Sequence, residues 1–272
     1  MERDGRADRV PRRRLGRRAD ARAVGQVASP PQAVPPSAWI LPDPSEADEA
    51  GVVGVGADLG PSTLVDAYRR GIFPWPHAGV PLPWFSPDPR GVLHLDDLAV
   101  SRSLRRTLRR SGWTTTVDAA FAEVVDGCAT GRGDAGTWIT AGMARAYGRL
   151  NQLGWAHSLE VWDGERLVGG IYGVQVGGVF TGESMFHRVD DASKVALVDL
   201  VARLAESGGR LLDVQLTTEH LASMGAVDVD RAVYLSLLAE ARHLDVRLRT
   251  DERPVARLAG SPDLHVDAHR QG

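Results

Sequence analysis

Cysteine is nearly absent from this sequence of 272 residues, in which Cys128 stands alone. A single cysteine excludes a disulfide framework and a cysteine-built zinc site. Long apolar runs are also missing, because no stretch approaches the roughly 20 residues that a membrane helix needs. The arginine-rich N-terminus has no apolar segment after it, so we expect no secretory signal. These absences favour a globular protein of a reducing cytoplasm.

Lysine is equally rare, since Lys194 is the only lysine among 32 basic residues and the other 31 are arginine. The net charge of −3 excludes a protein that is basic throughout, so the distribution of the arginines is more informative than their number. Nine arginines and four acidic residues lie within the first 22 positions, before a proline-rich stretch. Such a segment has little apolar surface to bury. We predict a disordered leader over residues 1–35, either a solvated tail or an arm that contacts RNA.

The common cofactor motifs are missing as well. Gly54–Leu59 lacks the third glycine of a dinucleotide-binding turn, and the sequence contains no phosphate-binding loop, HExxH or GxSxG. His265 and His269 are four residues apart, but they lie near the C-terminus without a glutamate after the first. We therefore expect no cofactor and no metal.

Apolar periodicity predicts both helices and strands. Helical spacing occurs over residues 62–70, 101–110, 118–129, 140–153, 191–206 and 230–242. Alternation and turn residues predict strands over residues 157–162, 167–176, 179–182 and 210–216. This order indicates an α+β fold that contains an antiparallel meander and flanking helices.

Prolines and tryptophans are concentrated between residues 73 and 90. Prolines at this frequency argue against a helix and against a central strand. The aromatic residues indicate either a docking platform or a small irregular core.

The predicted helix over residues 101–110 carries arginines on one face. Their spacing places all five on a single stripe, where like charges destabilise an isolated helix. Such a stripe is either a solvated face or a binding site for phosphate groups. The stripe consists of Arg102, Arg105, Arg106, Arg109 and Arg110.

Two polar residues interrupt the apolar strand over residues 210–216. Asp213 and Gln215 are two positions apart, so we expect both side chains on the same face of the sheet. They are either a functional pair or a polar strand end that caps the turn at Thr217 and Thr218.

Several longer stretches resemble the leucyl/phenylalanyl-tRNA–protein transferases. The resemblance spans residues 37–240 and excludes the leader and the tail. The matching stretches are Ala67–Trp75, Trp84–Arg90, Gly136–Thr140, Ala156–Trp162, Leu167–Val174, Gly182–Phe186 with Lys194, and Leu212–Gln215.

This resemblance implies an aminoacyltransferase. The family transfers leucine, phenylalanine or methionine from tRNA to the N-terminal arginine or lysine of an acceptor protein, which marks that protein for degradation by the N-end rule. The implied fold is a small N-terminal α/β domain, residues 36–99, and a larger acetyltransferase-like (GNAT-like) domain, residues 100–250. Residues 251–272 are expected to form a loosely ordered tail. The implied partners are aminoacyl-tRNA and acceptor proteins, and we expect a cytoplasmic monomer.

The resemblance also implies roles for polar and aromatic residues. The acceptor amine is expected near Asp213, with Gln215 orienting the acid or the amine. Asp213 is then either an electrostatic orienter or a base with a raised pKa, and the sequence leaves both open. Glu183 matches an acid that meets the incoming amine or a basic side chain, and Trp75 and Trp138 match tryptophans that stack on the terminal adenosine. The arginine stripe becomes a contact for tRNA phosphates.

The donor side chain requires a deep apolar pocket. Two positions depart from the family pattern, because the family often has phenylalanine where this sequence has Leu200 and Leu204. A roomier pocket favours phenylalanine as donor, so the preference between leucine and phenylalanine stays open. The residues that the resemblance places in this pocket are Ile171, Phe180, Met185, Leu200, Leu204 and Leu212.

Two other functions remain as alternatives. One is an acyltransferase that uses a coenzyme A thioester on the same scaffold. The coenzyme A loop pattern Gln/Arg-x-x-Gly-x-Gly/Ala is not found after a core strand, which argues against acetyl-coenzyme A as donor. The other is a non-catalytic RNA-binding protein that uses only the arginine stripe and the tryptophans.

Overall fold

The computed structural model describes residues 26–130 and 137–260. Residues 1–25 of the predicted leader and residues 261–272 of the predicted tail lie outside the described residues. Within the described ranges, none of the helices combines the length and the apolar character that a membrane crossing requires. Helices and strands alternate along these ranges, so the fold is a mixed α+β structure, as the sequence indicates.

A small three-stranded sheet precedes the main sheet. Its antiparallel strands are β1 (Val52–Val55), β2 (Phe73–Pro74) and β3 (Pro83–Phe85), with β3 in the centre. Helix α1 (Pro61–Arg69) connects β1 to β2 and starts on a proline, whose fixed φ suits the first helical position. The expectation that prolines exclude a central strand is therefore wrong for β3, because Pro83 is its first residue, where a strand tolerates proline.

The main sheet has eight strands in the order β10-β4-β9-β8-β7-β6-β5-β11. Strands β6 to β8 form the predicted meander, and β8 and β9 are the one parallel pair among the described strands. The strands are β4 (Arg90–His94), β5 (Thr114–Val117), β6 (Ala156–Asp163), β7 (Arg166–Val176), β8 (Val179–His187), β9 (Leu211–Gln215), β10 (Val227–Val229) and β11 (Arg253–Pro254).

Helices cover both faces of this sheet. Neighbouring residues Ile171 and Tyr172 of β7 fall in different core clusters, because successive side chains of a strand point to opposite faces. One cluster contains the apolar faces of α2 and α5, and the other contains those of α1, α3 and α4. The remaining helices are α2 (Arg102–Arg110), α3 (Phe121–Thr130), α4 (Ala141–Gln152), α5 (Ala192–Glu206), α6 (Glu219–Ala222) and α7 (Arg231–Ala241).

Helix α5 connects the parallel strands β8 and β9, as a crossover between parallel strands requires. The two strands pair only from Val179 to Thr181 on β8 and from Leu211 to Asp213 on β9. Beyond these residues β8 continues to His187 and no longer pairs with β9. The resulting gap in the sheet is the place where a cavity forms.

Two segments near the ends of the described chain pack against the fold more closely than the sequence suggests. Ala28 donates its backbone N–H to Leu248 O, and the Trp155 indole donates to Gln32 O at 2.8 Å. Residues 26–35 therefore lie against the body of the protein, although the sequence indicated that they belong to the disordered leader. Towards the other end, Val255 and Leu258 are buried. Residues 251–260 thus contribute to the core, where the sequence indicated a loose tail.

Candidate active site

A cavity of about 330 Å³ opens where β8 and β9 diverge. Its walls are mostly apolar, and they are contributed by the small sheet, the β7–β8 pair, α5 and the end of β9. Glu183 is the only carboxylic acid among the described residues of its lining. The cavity therefore combines space for a large apolar group with one acid.

Glu183 extends from β8 into this cavity and accepts three hydrogen bonds. Tyr68 donates to Oε1 at 2.7 Å, Tyr147 donates to Oε2 at 2.8 Å, and Gln215 Nε2 donates to Oε1 at 2.8 Å. Burial raises the pKa of Glu183 to about 7 even though the two tyrosine bonds act in the opposite direction. At neutral pH the carboxyl group therefore exchanges readily between its two protonation states.

The two tyrosines stay protonated. Burial and the neighbouring Glu183 raise the pKa of both Tyr68 and Tyr147 well above the ordinary value. Their hydroxyl oxygens lie 2.6 Å apart, and because each hydroxyl donates its single proton to Glu183, the shared acid ties α1 to α4. The sequence analysis missed both residues, and no local pattern marks them, because each pairs with an acid more than 30 positions away.

Asp213 does not line the cavity. Its fully buried carboxylate accepts bidentate hydrogen bonds from Arg90, with Nε to Oδ1 at 2.8 Å and Nη2 to Oδ2 at 2.6 Å. Tyr234 and Thr181 also donate to Oδ2, at 2.9 and 3.1 Å. The carboxylate is thus fully occupied by protein donors, and the geometry does not bring it to a substrate as the sequence suggested.

Arg90 is held as tightly as its partner. The guanidinium lies between the rings of Phe73 and Tyr234, with its central carbon 4.9 and 4.3 Å from the two ring centroids. It also donates to Gly71 O at 3.2 Å. Arg90 therefore connects Gly71, just before β2, to Asp213 on β9.

Gln215 reaches the cavity through a change in backbone conformation. Its φ of +64° lies in the left-handed region, which side-chain-bearing residues seldom adopt, and its N–H donates to Asp213 Oδ1 at 3.0 Å. This turn breaks the alternation of the strand. Of the two residues that were expected to share a face, only Gln215 lines the cavity.

The predicted aromatic and apolar residues divide into two groups. Trp75 and Trp138 line the cavity, both half-buried, and so do three of the six predicted apolar residues: Ile171, Met185 and Leu212. Apolar residues that the sequence analysis missed also line it, namely Phe73, Leu197, Val214, Leu216 and Leu221.

The other three predicted residues, Phe180, Leu200 and Leu204, are buried in the core and do not line the cavity. Phe180 lies where β8 still pairs with β9, opposite Leu212. Leu200 and Leu204 follow the lining residue Leu197 by one and two turns of α5. The resemblance therefore identified the correct helix but not the residue of that helix that lines the cavity.

The arginine stripe lies on α2. Leu104 and Leu108 anchor this helix in the core, while Arg102, Arg106, Arg109 and Arg110 are exposed. Arg105 differs from them, because it is half-buried and donates to Ala259 O at 3.3 Å. Four of the five predicted arginines therefore present their charge to solvent.

Comparisons with known protein families match two parts of this chain. The family described as leucyl/phenylalanyl-tRNA protein transferase matches residues 92–239, and the N-terminal domain of that family matches residues 57–88. A solved structure, L-PGS from Bacillus licheniformis, aligns at a TM-score of 0.35 and 15% identity over 56% of this chain and 51% of that chain, a likeness too weak to support an argument.

Relatives carry the same description. The leucyl/phenylalanyl-tRNA–protein transferase of Klebsiella pneumoniae subsp. pneumoniae is 48% identical over 205 residues, which cover 75% of this chain and 88% of the relative. That of Stutzerimonas stutzeri is 51% identical over 212 residues, covering 78% and 91%. That of Syntrophobacter fumaroxidans is 52% identical over 203 residues, covering 74% and 87%. By its domain matches and by this identity, the chain belongs to the leucyl/phenylalanyl-tRNA protein transferase family.

Proposed function

We propose that this protein transfers leucine, phenylalanine or methionine from aminoacyl-tRNA to the N-terminal arginine or lysine of acceptor proteins. The observation that carries the proposal is the buried acid Glu183, with a pKa of about 7, in an otherwise apolar cavity. An amino acid ester is already activated, so the enzyme has mainly to position a neutral amine against it. One acid beside an apolar pocket meets that need.

The donor aminoacyl group occupies the apolar part of the cavity. Ile171, Met185 and Leu197 line this part and accept a large apolar side chain. Trp75 and Trp138 line the cavity and are half-buried, so the exposed part of each flat ring is suited to stacking on the base of the terminal adenosine of the tRNA. Stacking of a base on an aromatic side chain contributes about 1 to 3 kcal/mol.

In the reaction, the α-amine of the acceptor attacks the ester carbonyl of the donor. A bond forms between the amine nitrogen and the carbonyl carbon, and the bond from that carbon to the ribose oxygen breaks. Glu183 accepts the proton that the amine loses and returns a proton to the ribose oxygen as it leaves. Ser184 also lines the cavity with a buried hydroxyl that has no hydrogen-bond partner in the described chain, so it is placed to donate to the carbonyl oxygen.

Asp213 and Gln215 support this acid. Gln215 donates to Glu183, and Asp213 holds the backbone of Gln215 in the conformation that makes this bond. We therefore assign Asp213 the role of a positioning residue. This proposal is closer to the electrostatic orienter than to the base with a raised pKa.

We also propose that the larger part of the fold, residues 100–250, is acetyltransferase-like. The parallel strands β8 and β9, the α5 crossover and the gap between these strands support this assignment. The small N-terminal domain, residues 36–99, then contributes Trp75 to the cavity. Strand β4, although it lies in that range, extends the main sheet beside β9.

The biological setting follows from the same proposal. A cationic acceptor N-terminus is attracted to Glu183, and addition of a bulky apolar residue marks the acceptor for degradation by the N-end rule. We place the protein in the cytoplasm, where charged tRNA is found, and expect it to act as a monomer.

A transfer assay tests the proposed function. The purified protein is mixed with radiolabelled Leu-tRNA or Phe-tRNA and with a protein that begins with arginine, beside a control protein with an unreactive first residue. We expect label only in the arginine-started protein, and the ratio of leucine to phenylalanine reports the preference of the cavity. Bound tRNA without transfer would instead support a non-catalytic RNA-binding protein, and heat protection by a coenzyme A thioester alone would support a different acyltransferase.

We also propose that α2 binds the phosphates of the tRNA acceptor stem. Replacing Arg102, Arg106, Arg109 and Arg110 by glutamine is expected to weaken tRNA binding. It is also expected to make the plot of the logarithm of the binding constant against the logarithm of the salt concentration less steep, by about 0.7 to 0.9 for each phosphate that is no longer neutralised. Filter binding at several salt concentrations measures this. Transfer at saturating donor is expected to persist, and replacement of the exposed Arg145 and Arg166 provides the control. An unchanged slope contradicts the assignment.

A further inference from the structure

A second cleft lies between the N-terminal segment, the end of α1, the β7–β8 turn and the chain after α7. Its volume is about 160 Å³, below the range of pockets that hold drug-sized ligands. None of its lining residues lines the cavity of Glu183. Tyr68 of α1 contacts Glu183, whereas the next residue, Arg69, lines the second cleft. The two sites are thus separate, and neighbouring residues of α1 contact one site each.

Arginines give this cleft its positive charge. Arg69 stacks on Trp155, with its guanidinium carbon 5.0 Å from the ring centroid, and makes no ion pair within the described ranges. Arg242 is fixed by a bond from Nη1 to Arg69 O at 3.0 Å, and it too lacks a carboxylate partner there. Arg247 is different, since it is paired with Asp245 at 3.0 Å. Two uncompensated guanidinium groups therefore remain, which favours an anion.

A buried amide in the same cleft lacks a partner. Gln175 is 6% exposed, and its Nε2 donates to Gly177 O at 3.0 Å and to Val246 O at 2.8 Å. These two carbonyl acceptors fix the orientation of the amide, because a flipped group would direct its oxygen at them. The Oε1 atom is left buried without a hydrogen bond in the described structure. A buried acceptor of this kind calls for a donor, and an oxyanion alone has none to offer.

A histidine completes the polar lining. His157 is 4% exposed, and its Nδ1 lies 2.6 Å from Asp118 Oδ2. Asp118 itself is held by Asn151 and by the backbone N–H of Ser158. Because Nδ1 is engaged, Nε2 is the ring nitrogen that remains for a ligand. The cleft thus offers a cationic side, one acceptor and one imidazole nitrogen.

We propose that this cleft binds a ribose phosphate, with the phosphate held by Arg69 and Arg242 and a ribose hydroxyl donating to Gln175 Oε1. Such a unit combines an anion with hydroxyl donors in a volume that suits the cleft. Its source is either a free sugar phosphate or nucleotide, or the backbone of RNA. The assignment does not depend on the proposed transfer reaction.

Calorimetric titration of the full-length protein tests the proposal with ribose 5-phosphate and with sulfate, which carries charge but has no hydroxyl to donate. We expect ribose 5-phosphate to bind at least tenfold more tightly than sulfate. The double replacement Arg69→Gln and Arg242→Gln is expected to lower that affinity at least tenfold. Both arginines are exposed, so the variant should fold, and Arg145→Gln with Arg166→Gln provides a matched removal of charge elsewhere.

Deacylated tRNA distinguishes the two sources. If the double variant binds tRNA more weakly and the wild type shows no measurable binding of ribose 5-phosphate, the cleft is assigned to the RNA backbone. Binding of ribose 5-phosphate with unchanged tRNA affinity assigns it to a free sugar phosphate. Equal binding of sulfate and ribose 5-phosphate overturns the hydroxyl contact to Gln175, and no change in any affinity overturns the site. Transfer activity, measured separately, reports on the proposed function alone.

Discussion

Replacement of Glu183 by glutamine is expected to lower the rate of aminoacyl transfer by about 10²- to 10⁴-fold, the range that general acid–base catalysis contributes. The amide keeps the shape of the side chain but cannot accept a proton from the reacting amine. Within the described chain no other acid lines the cavity, so no neighbour replaces it. Single-turnover transfer from Leu-tRNA to an arginine-started protein measures the effect.

Glu160 provides a matched control for this substitution. It is the second glutamate whose pKa burial raises to about 7, and it accepts hydrogen bonds from Thr116 and Ser158 at 2.5 Å each. It lies on β6, away from the cavity of Glu183. Glu160→Gln therefore also removes a buried carboxyl group but is expected to leave transfer unchanged. Equal losses in both variants would attribute the effect to folding rather than to chemistry.

The pH dependence of transfer provides a second readout for Glu183. Its carboxylate form accumulates as the pH rises through about 7, so kcat/KM is expected to rise over the same range. The acceptor α-amine, with an ordinary pKa of about 7.7 to 8.0, adds a second rise at higher pH. In the Glu183→Gln variant only the rise due to the amine should remain. A variant that keeps the full wild-type profile would exclude Glu183 as the base.

The periodic elements could be predicted from the sequence because their signals are local. The apolar spacing of α5 and the alternation of the β6–β8 meander depend on neighbouring residues, and the structure confirms these elements. The family resemblance, confirmed by the domain matches and by the relatives, located Glu183 and the two tryptophans that line the cavity.

The partners of the central acids could not be predicted in the same way. Asp213 meets Arg90 across 123 positions of sequence, and Tyr68 meets Glu183 across 115. The first pair depends on β4 and β9 being neighbours in the main sheet, and the second depends on how α1 packs against that sheet. No local spacing records either arrangement. The left-handed turn at Gln215 is equally invisible, because glutamine carries no signal for a positive φ. We therefore propose Glu183, rather than Asp213, as the acid that meets the acceptor amine.

The pair of Arg90 and Asp213 is expected to control stability and activity together. Asp213→Asn leaves the guanidinium of Arg90 buried and uncompensated, with 1% of its side chain exposed. Loss of one partner of a buried pair costs about 3 to 5 kcal/mol. We expect a fall of this size in the free energy of unfolding, measured by urea denaturation, together with loss of transfer.

A double replacement separates the two effects. In Arg90→Met with Asp213→Leu both charges are gone, so the cost of an unpaired buried guanidinium is removed and part of the lost stability is expected to return. The rest stays lost, because Tyr234 and Thr181 no longer have their acceptor. Transfer should stay low, because the Gln215 N–H no longer has its acceptor and the side chain is no longer presented to Glu183. Wild-type transfer by this variant would show that the cavity does not need the anchor.

The ion pair of Arg203 and Asp199 distinguishes a positioning role from a merely structural one. Both side chains are fully buried, as in the first pair, but the pair lies on α5 and joins it to the chain near Arg257, and neither residue lines the cavity. Asp199→Asn is therefore expected to lower stability to a similar extent while each folded molecule keeps its transfer rate. The comparison is made at a temperature at which all variants are folded. If kcat falls only in the Asp213 variants, the cause is the displacement of Gln215, which then no longer donates to Glu183.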